Sequence, residues 1–336
     1  MLKQLLEQFG ADRRHVSLVS ACARSALTAW FALSERELFR AVAAEPAYRD
    51  HVAALPHRDV FGFASHRSYL VLGLSRRARG LLALQHYRNE TAALDPSYYQ
   101  AVYHRGGLRL WQLEHEGTAF ELRLMPGNDV MNEGGLSITF FVNGEAVTVL
   151  SYSNVDPTLL GHPPAQVGPG WRAPALVPYV TRRQSSRSDF RRAFTQAFGR
   201  GTPGHLCIAA LEGVALAQGG RRLLGVPADQ HPACRAARAR GYTGLETMYD
   251  QFWSSLSGEP GPLAWSIPLP LQPTPLDQLD SNNRKRANRL RGHQTAVRDA
   301  AFLAFRPHLV KPPPVTYEPA SELESLPLAR GSLQRA

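Results

Sequence analysis

Apolar residues recur every three or four positions at the start of the chain and every second position in its middle. Leu2, Leu5, Leu6 and Phe9 have helical spacing, and after a break near Gly10 the period resumes through Val16, Leu18, Val19, Leu27 and Phe31. Ser34 precedes Glu35, Arg36 and Glu37, which predicts an N-cap and a helix through Val42. The apolar run Leu70 to Leu84, with Arg76, Arg77 and Arg79, reads as a further helix. Tyr87, Tyr98, Tyr99 and Tyr103 then form an aromatic group best read as core, since aromatic rings are bulky apolar filling first.

From about 107 to 152 the period falls to two: Leu108 and Leu110, then Phe120, Leu122 and Leu124, then Leu136, Ile138, Phe140 and Val142, then Val147 and Val149. Asn143-Gly144 separates the last two runs and predicts a tight hairpin, because a type I′ turn needs positive φ at both central residues. Gly117 marks an earlier turn. The pattern predicts a four-stranded antiparallel meander. Its connection Pro126 to Gly135 is longer than a hairpin needs and holds Asp129 and Glu133, either a base and a binding group or simply solvated acids of a surface loop.

Residues 153 to 181 read as an irregular excursion, followed by Arg182, Arg183, Arg187, Arg191 and Arg192, with Phe190 and Phe194 on a short helix. The loop Gly199-Arg200-Gly201-Thr202-Pro203-Gly204 then opens an apolar helix, 205–217. A helix start carries unpaired amides and partial positive charge, so Arg200, Gly201, Thr202, Gly204 and His205 are candidates to hold an anion. The helix is apolar almost all round and should be buried. Its one acid, Glu212, is expected on an exposed stripe rather than in a cleft. Gly219-Gly220 ends it, Arg221 to Val226 is a short strand, and Pro232 and Gly241 bracket a second helix. His231 is either a helix-start residue bonded to backbone or, with Trp253, a substrate contact. In Tyr249-Asp250-Gln251-Phe252-Trp253 the rings are core by default, and the Tyr249 phenol is a candidate acid for a leaving thiolate. Residues 268–282 form a proline-rich linker. Arg284, Lys285, Arg286, Arg289, Arg291 and Arg298 lie on a helix to about 305, and the polar tail from Lys311 reads as disordered.

The 336 residues are 44% hydrophobic, enough for one large core or two small ones. Net charge is +10. Three of the 38 basic residues are lysine and 35 are arginine, from either compositional habit or a polyanionic partner. Cys22, Cys207 and Cys234 show no CxxC spacing, which argues for a reducing compartment and against a disulfide framework or a zinc site. Asp12, Arg13 and Arg14 interrupt any signal-peptide pattern, and Arg24 breaks the apolar run Val16 to Leu33, so neither an export signal nor a membrane span is expected. Aromatics do not interleave the basic helix, so nucleic-acid base stacking is not expected there.

The order of meander, glycine loop, buried helix, strand, helix with Gly241-Tyr242, and further strand resembles the GNAT acyltransferase core. Arg200-Gly201-Thr202-Pro203-Gly204 stands where that family holds the pyrophosphate of coenzyme A. Gly204 to His231 with Leu224-Gly225-Val226, Tyr249 to Trp253, Ile267-Pro268, Arg284-Lys285-Arg286-Ala287 and the strand from Glu133-Gly134 to Phe141 resemble the VirK/YbjX family over roughly residues 60–305. The resemblances imply an α+β fold with a helical region at 1–105 packed on a GNAT-like core at 106–270, a basic helix at 271–310 and a tail at 311–336. They imply an acyl or aminoacyl transferase with coenzyme A or acyl-coenzyme A on residues 200–205, Glu133 or Asp129 as base, Tyr249 as acid, and no metal. The substrate would be a small or anionic molecule, and nucleic acid would enter only as an aminoacyl-tRNA donor. The alternative implied by VirK/YbjX, a cytoplasmic family linked to virulence and envelope stress without an established reaction, is a non-catalytic protein that binds an anionic partner.

Overall fold

The computed structural model describes residues 17–55, 61–66, 69–127, 134–164, 176–185, 190–199, 201–241, 244–272, 281–314 and 317. The fold is α+β. Helices α1 (Leu18–Ser34), α2 (Arg36–Ala44), α3 (Gly62–Ser65), α4 (Arg76–Ala93) and α5 (Pro96–Tyr99) precede four strands, β1 (Leu108–His115), β2 (Thr118–Pro126), β3 (Leu136–Val142) and β4 (Glu145–Val155). After β5 (Val177–Ser185) come α6 (Arg191–Phe198), α7 (Pro203–Ala217), β6 (Arg222–Gly225), α8 (Pro232–Ala239), α9 (Gly244–Ser255), β7 (Trp265–Pro268) and α10 (Ser281–Phe305).

The seven strands form one sheet in chain order, antiparallel throughout except for the parallel pair β5–β6. The meander is set by local chemistry. Asn143 and Gly144 have φ of 49° and 80° and join Val142 to Glu145, as a type I′ turn requires. Glu116 and Gly117, at 48° and 73°, repeat the device between β1 and β2.

Three expectations need correction. Ser34 is not an N-cap: it ends α1 and its hydroxyl donates to the Phe31 carbonyl, and α2 starts after Glu35 with no side-chain cap bond. Helix α4 begins at Arg76, not Leu70: Ser75 caps it by accepting from the Ala78 amide, and the buried residues before it are irregular, with Leu70 at φ 63° and the Leu72 amide bonded to the Gln230 carbonyl. The excursion is shorter than expected as well, because β4 runs to Val155 and Val177–Ser185 is strand, so Arg182 and Arg183 belong to β5. Of the linker expected at 268–282, Pro268 ends β7, 281 and 282 begin α10, and 273–280 lie outside the described residues, as does most of the tail.

Helices α6, α7 and α10 cover one face of the sheet. Phe194 and Phe198 of α6 pack on Phe120 and Phe140, and α7 lies across β3 to β6 beneath α10. Ser153 points to the other face, opposite to Tyr152, and bonds Tyr69, so the segment around Tyr69 covers that side. The tyrosine group is core, with Tyr98 and Tyr103 donating to the buried Glu90 carboxylate at 2.8 and 2.9 Å. Burial raises Glu90 to about 7 against those two bonds.

β5 pairs with β6 at only two positions, Tyr179–Leu224 and Val180–Gly225, while β4 holds it along its length. Four residues connect α7 to β6, so α7 runs back along the sheet and its first turn stands at the end where β6 stops.

Candidate functional site

Pro203 occupies the first turn of α7, where its missing amide hydrogen costs nothing, and Thr202 is the N-cap. Thirteen of the fifteen residues of α7 are buried, as a helix apolar on all sides requires. His205, Ala209 and Glu212 share one face by their spacing. Gly213 lets α10 approach closely, since a β-carbon there would collide with the backbone carbonyl of Arg298. That approach sets the Arg298 guanidinium 3.9 Å from Glu212.

Between α7, α10, the end of α9 and the segment that follows β7 lies a cavity of about 280 Å3. Its polar lining includes His205, Glu212, Gln272, Arg291, Gln294 and Arg298, and Leu256, Leu271 and Leu290 are among its apolar walls. It begins at the first turn of α7 and runs along the flank of the helix. Gly201, before that turn, packs under Leu290, whose side chain a β-carbon would meet at 2.6 Å.

Glu212 is not on an exposed stripe: it is 3% exposed and faces the cavity. Its Oε1 accepts from the Leu271 amide at 2.7 Å. Burial raises its carboxyl to about 7, assisted by Asp299 and opposed by the Leu271 amide and Arg298. Arg298 also donates to Asp299 at 3.0 Å and lies over the Tyr317 ring, whose hydroxyl donates to Asp299. His205 Nδ1 stands 2.7 Å from the Thr202 hydroxyl, and its ring meets Phe252 edge to face at 5.1 Å. The cavity therefore combines guanidinium donors, an imidazole and a carboxyl that exchanges its proton near neutrality, a set suited to holding an anion beside a group that loses a proton.

A second cluster lies at the end of β6. His231 caps α8 by accepting from the Ala233 amide through Nδ1, which leaves the proton of the neutral ring on Nε2, 3.2 Å from the Tyr249 oxygen. The two rings stack at 4.5 Å. Trp253 is buried against Gly225 and donates to the Val226 carbonyl at 2.8 Å. Asp250 accepts from the Ala228 amide and the Trp265 ring nitrogen.

The candidates thus fall into three groups. Gly201, Thr202, Gly204 and His205 lie at the head of α7, where His205 enters the cavity. Tyr249, His231 and Trp253 gather around β6 and α8, with bonding partners within the fold. Asp129, Glu133 and Arg200 lie outside the described residues. Sequence reasoning named Glu212, Arg291 and Arg298 without bringing them together, and it missed Gln272 and Gln294. The available signal was a single acid on a helix otherwise apolar. On α10, part of the basic face is spent internally, since Arg289 donates to the carbonyls of Gln196 and Ala197 at the end of α6.

Among the described residues no group of three or more His, Cys, Asp or Glu side chains could hold a metal ion, and no helix is long and apolar enough to cross a membrane. No family model, curated protein or solved structure matches the chain.

Proposed function

We propose that the chain is a GNAT-like acyl or aminoacyl transferase of the VirK/YbjX kind, and that the cavity beside α7 receives the reacting groups. One observation carries the reading: a single face of α7 presents His205, at the positive end of the helix, and Glu212, at about 7, to a cavity that also holds Arg291 and Arg298.

In such a transfer a neutral amine attacks the carbonyl carbon of a thioester or ester, a C–N bond forms, the bond to the leaving sulfur or oxygen breaks, and the amine proton departs. Glu212 would take that proton and return it to the leaving group. Arg291 and Arg298 would hold a phosphate or carboxylate of donor or acceptor, and the exposed N-cap residue Thr202 would meet donor phosphates at the mouth. Ligand pockets start at about 300 Å3. This cavity of about 280 Å3 would therefore hold the reacting end of an acyl-coenzyme A and leave its nucleotide outside.

Thermal unfolding of the full chain with coenzyme A and with acetyl-coenzyme A tests the reading. At a free ligand concentration of about 100 Kd, stabilisation of ~2.7 kcal/mol is expected, and Arg291→Ala should reduce it. If neither ligand raises the midpoint, the coenzyme A reading fails. Salt-dependent binding of a polyanion in the same experiments would support the non-catalytic alternative instead.

A further inference from the structure

Helix α1 leaves an apolar face in solvent. Val19 is 79% exposed, Leu33 77%, Trp30 56% and Leu18 55%, and Cys22, Ala23 and Ala26 between them are exposed as well. At 100° per residue, Val19, Cys22, Ala23, Ala26, Trp30 and Leu33 fall on one stripe about 100° wide. No charged side chain interrupts it. The opposite side of α1 sends Ala21, Thr28, Phe31 and Ala32 into the core, so the outer stripe is not needed to hold the helix in place. A contiguous exposed apolar surface of this kind marks an interaction site.

The edge of the stripe is basic. The Arg76 guanidinium lies 5.3 Å over the Trp30 ring and donates to the Ser34 hydroxyl at 2.8 Å. Arg77 is 3.4 Å from Glu35, and Arg36 and Arg40 are exposed on α2.

We propose that the outer face of α1 docks on the surface of an anionic lipid bilayer. A bilayer offers a deformable apolar plane that a convex helix face can enter without a shaped partner. Apolar side chains at that boundary enter the acyl region, a tryptophan ring sits at headgroup level, and guanidinium groups meet lipid phosphates. Insertion alone or charge alone gives weak attachment, and this face carries both. α1 has seventeen residues and would lie in the plane of the membrane. The docking face is independent of the transferase reading, since it shares no residue with the cavity.

Flotation of the full chain with vesicles tests the proposal. Recovery is expected with phosphatidylcholine vesicles that contain phosphatidylglycerol, should fall with added salt, and should be at least about tenfold lower with phosphatidylcholine alone. Val19→Glu and Leu33→Glu place a charge on side chains that already face water, so the fold should be kept while binding is lost. Leu303→Glu, on an exposed position of α10, serves as control and should bind normally. Failure to float with either vesicle, or equal recovery of Leu33→Glu and the parent chain, overturns the proposal. So does a parent dimer that the same substitutions convert to monomer, which would assign the face to self-association.

Discussion

The backbone carbonyl of Arg298 occupies the place where a β-carbon on Gly213 would stand. Two helices distant in sequence are therefore as close as their backbones allow, and the cavity beside Glu212 exists at that spacing. Gly213→Ala would gain up to about 1 kcal/mol of helix propensity but must push α10 away. Net destabilisation of about 1–3 kcal/mol is expected, read as a lower midpoint in denaturant, together with weaker binding of any cavity ligand.

Among the described residues, three deeply buried groups should make stability depend on pH. Glu212 and Glu90 are raised from 4.5 to about 7, so the folded state binds protons that the unfolded state has released. Their contribution is fully present below pH 4.5 and is lost as pH rises through about 7, at about 3 kcal/mol for each carboxyl. His86, which accepts from the Asn154 amide, is lowered by burial from 6.5 to about 4 and acts in the opposite sense, with stability lost as pH falls from 6.5 towards 4. Unfolding free energy measured by denaturant should thus decline from mildly acidic to neutral pH. Glu212→Gln should remove part of the slope while keeping the acceptor for Leu271. An unchanged pH profile in that variant would show that Glu212 titrates normally.

Trp253 closes the end of β6, with its ring on Gly225 and its Nε1 on the Val226 carbonyl. Trp253→Ala should cost about 3–5 kcal/mol, and Trp253→Phe about 1–3 kcal/mol because a buried carbonyl loses its donor. Both should appear in the thermal midpoint. A loss of ligand binding at unchanged midpoint would instead make Trp253 a substrate contact.

His205→Ala removes a ring that lines the cavity and leaves the helix cap residue Thr202 in place. The midpoint should change by less than about 1 kcal/mol, while the shift induced by coenzyme A or its acyl form should shrink. Titration of both proteins by calorimetry would separate the two effects.

Local rules carried the parts of the fold whose partners are near in sequence. Asn143-Gly144 can be read directly because the two-residue turn with positive φ needs no help from elsewhere. The apolar α7 announces its own burial. The same rules failed where a distant segment decides. Leu70 to Leu74 look like the start of a helix because they are mostly apolar, yet Leu70 takes a positive φ and the Leu72 amide bonds the distant Gln230 carbonyl. β5 lacks a clear alternation, since Pro178 and the Arg182-Arg183 pair interrupt it, and β4 and β6 define it as a strand.

Glu212 marks the boundary between the two kinds of information. By itself the sequence determined that a single acid rides on a helix with no polar face, and that the chain alternates as an antiparallel meander. Only the tertiary structure decided that this acid points inward, because the Leu271 amide and the Arg298 guanidinium, from segments 59 and 86 residues away, together supply the partners that let a carboxyl remain buried.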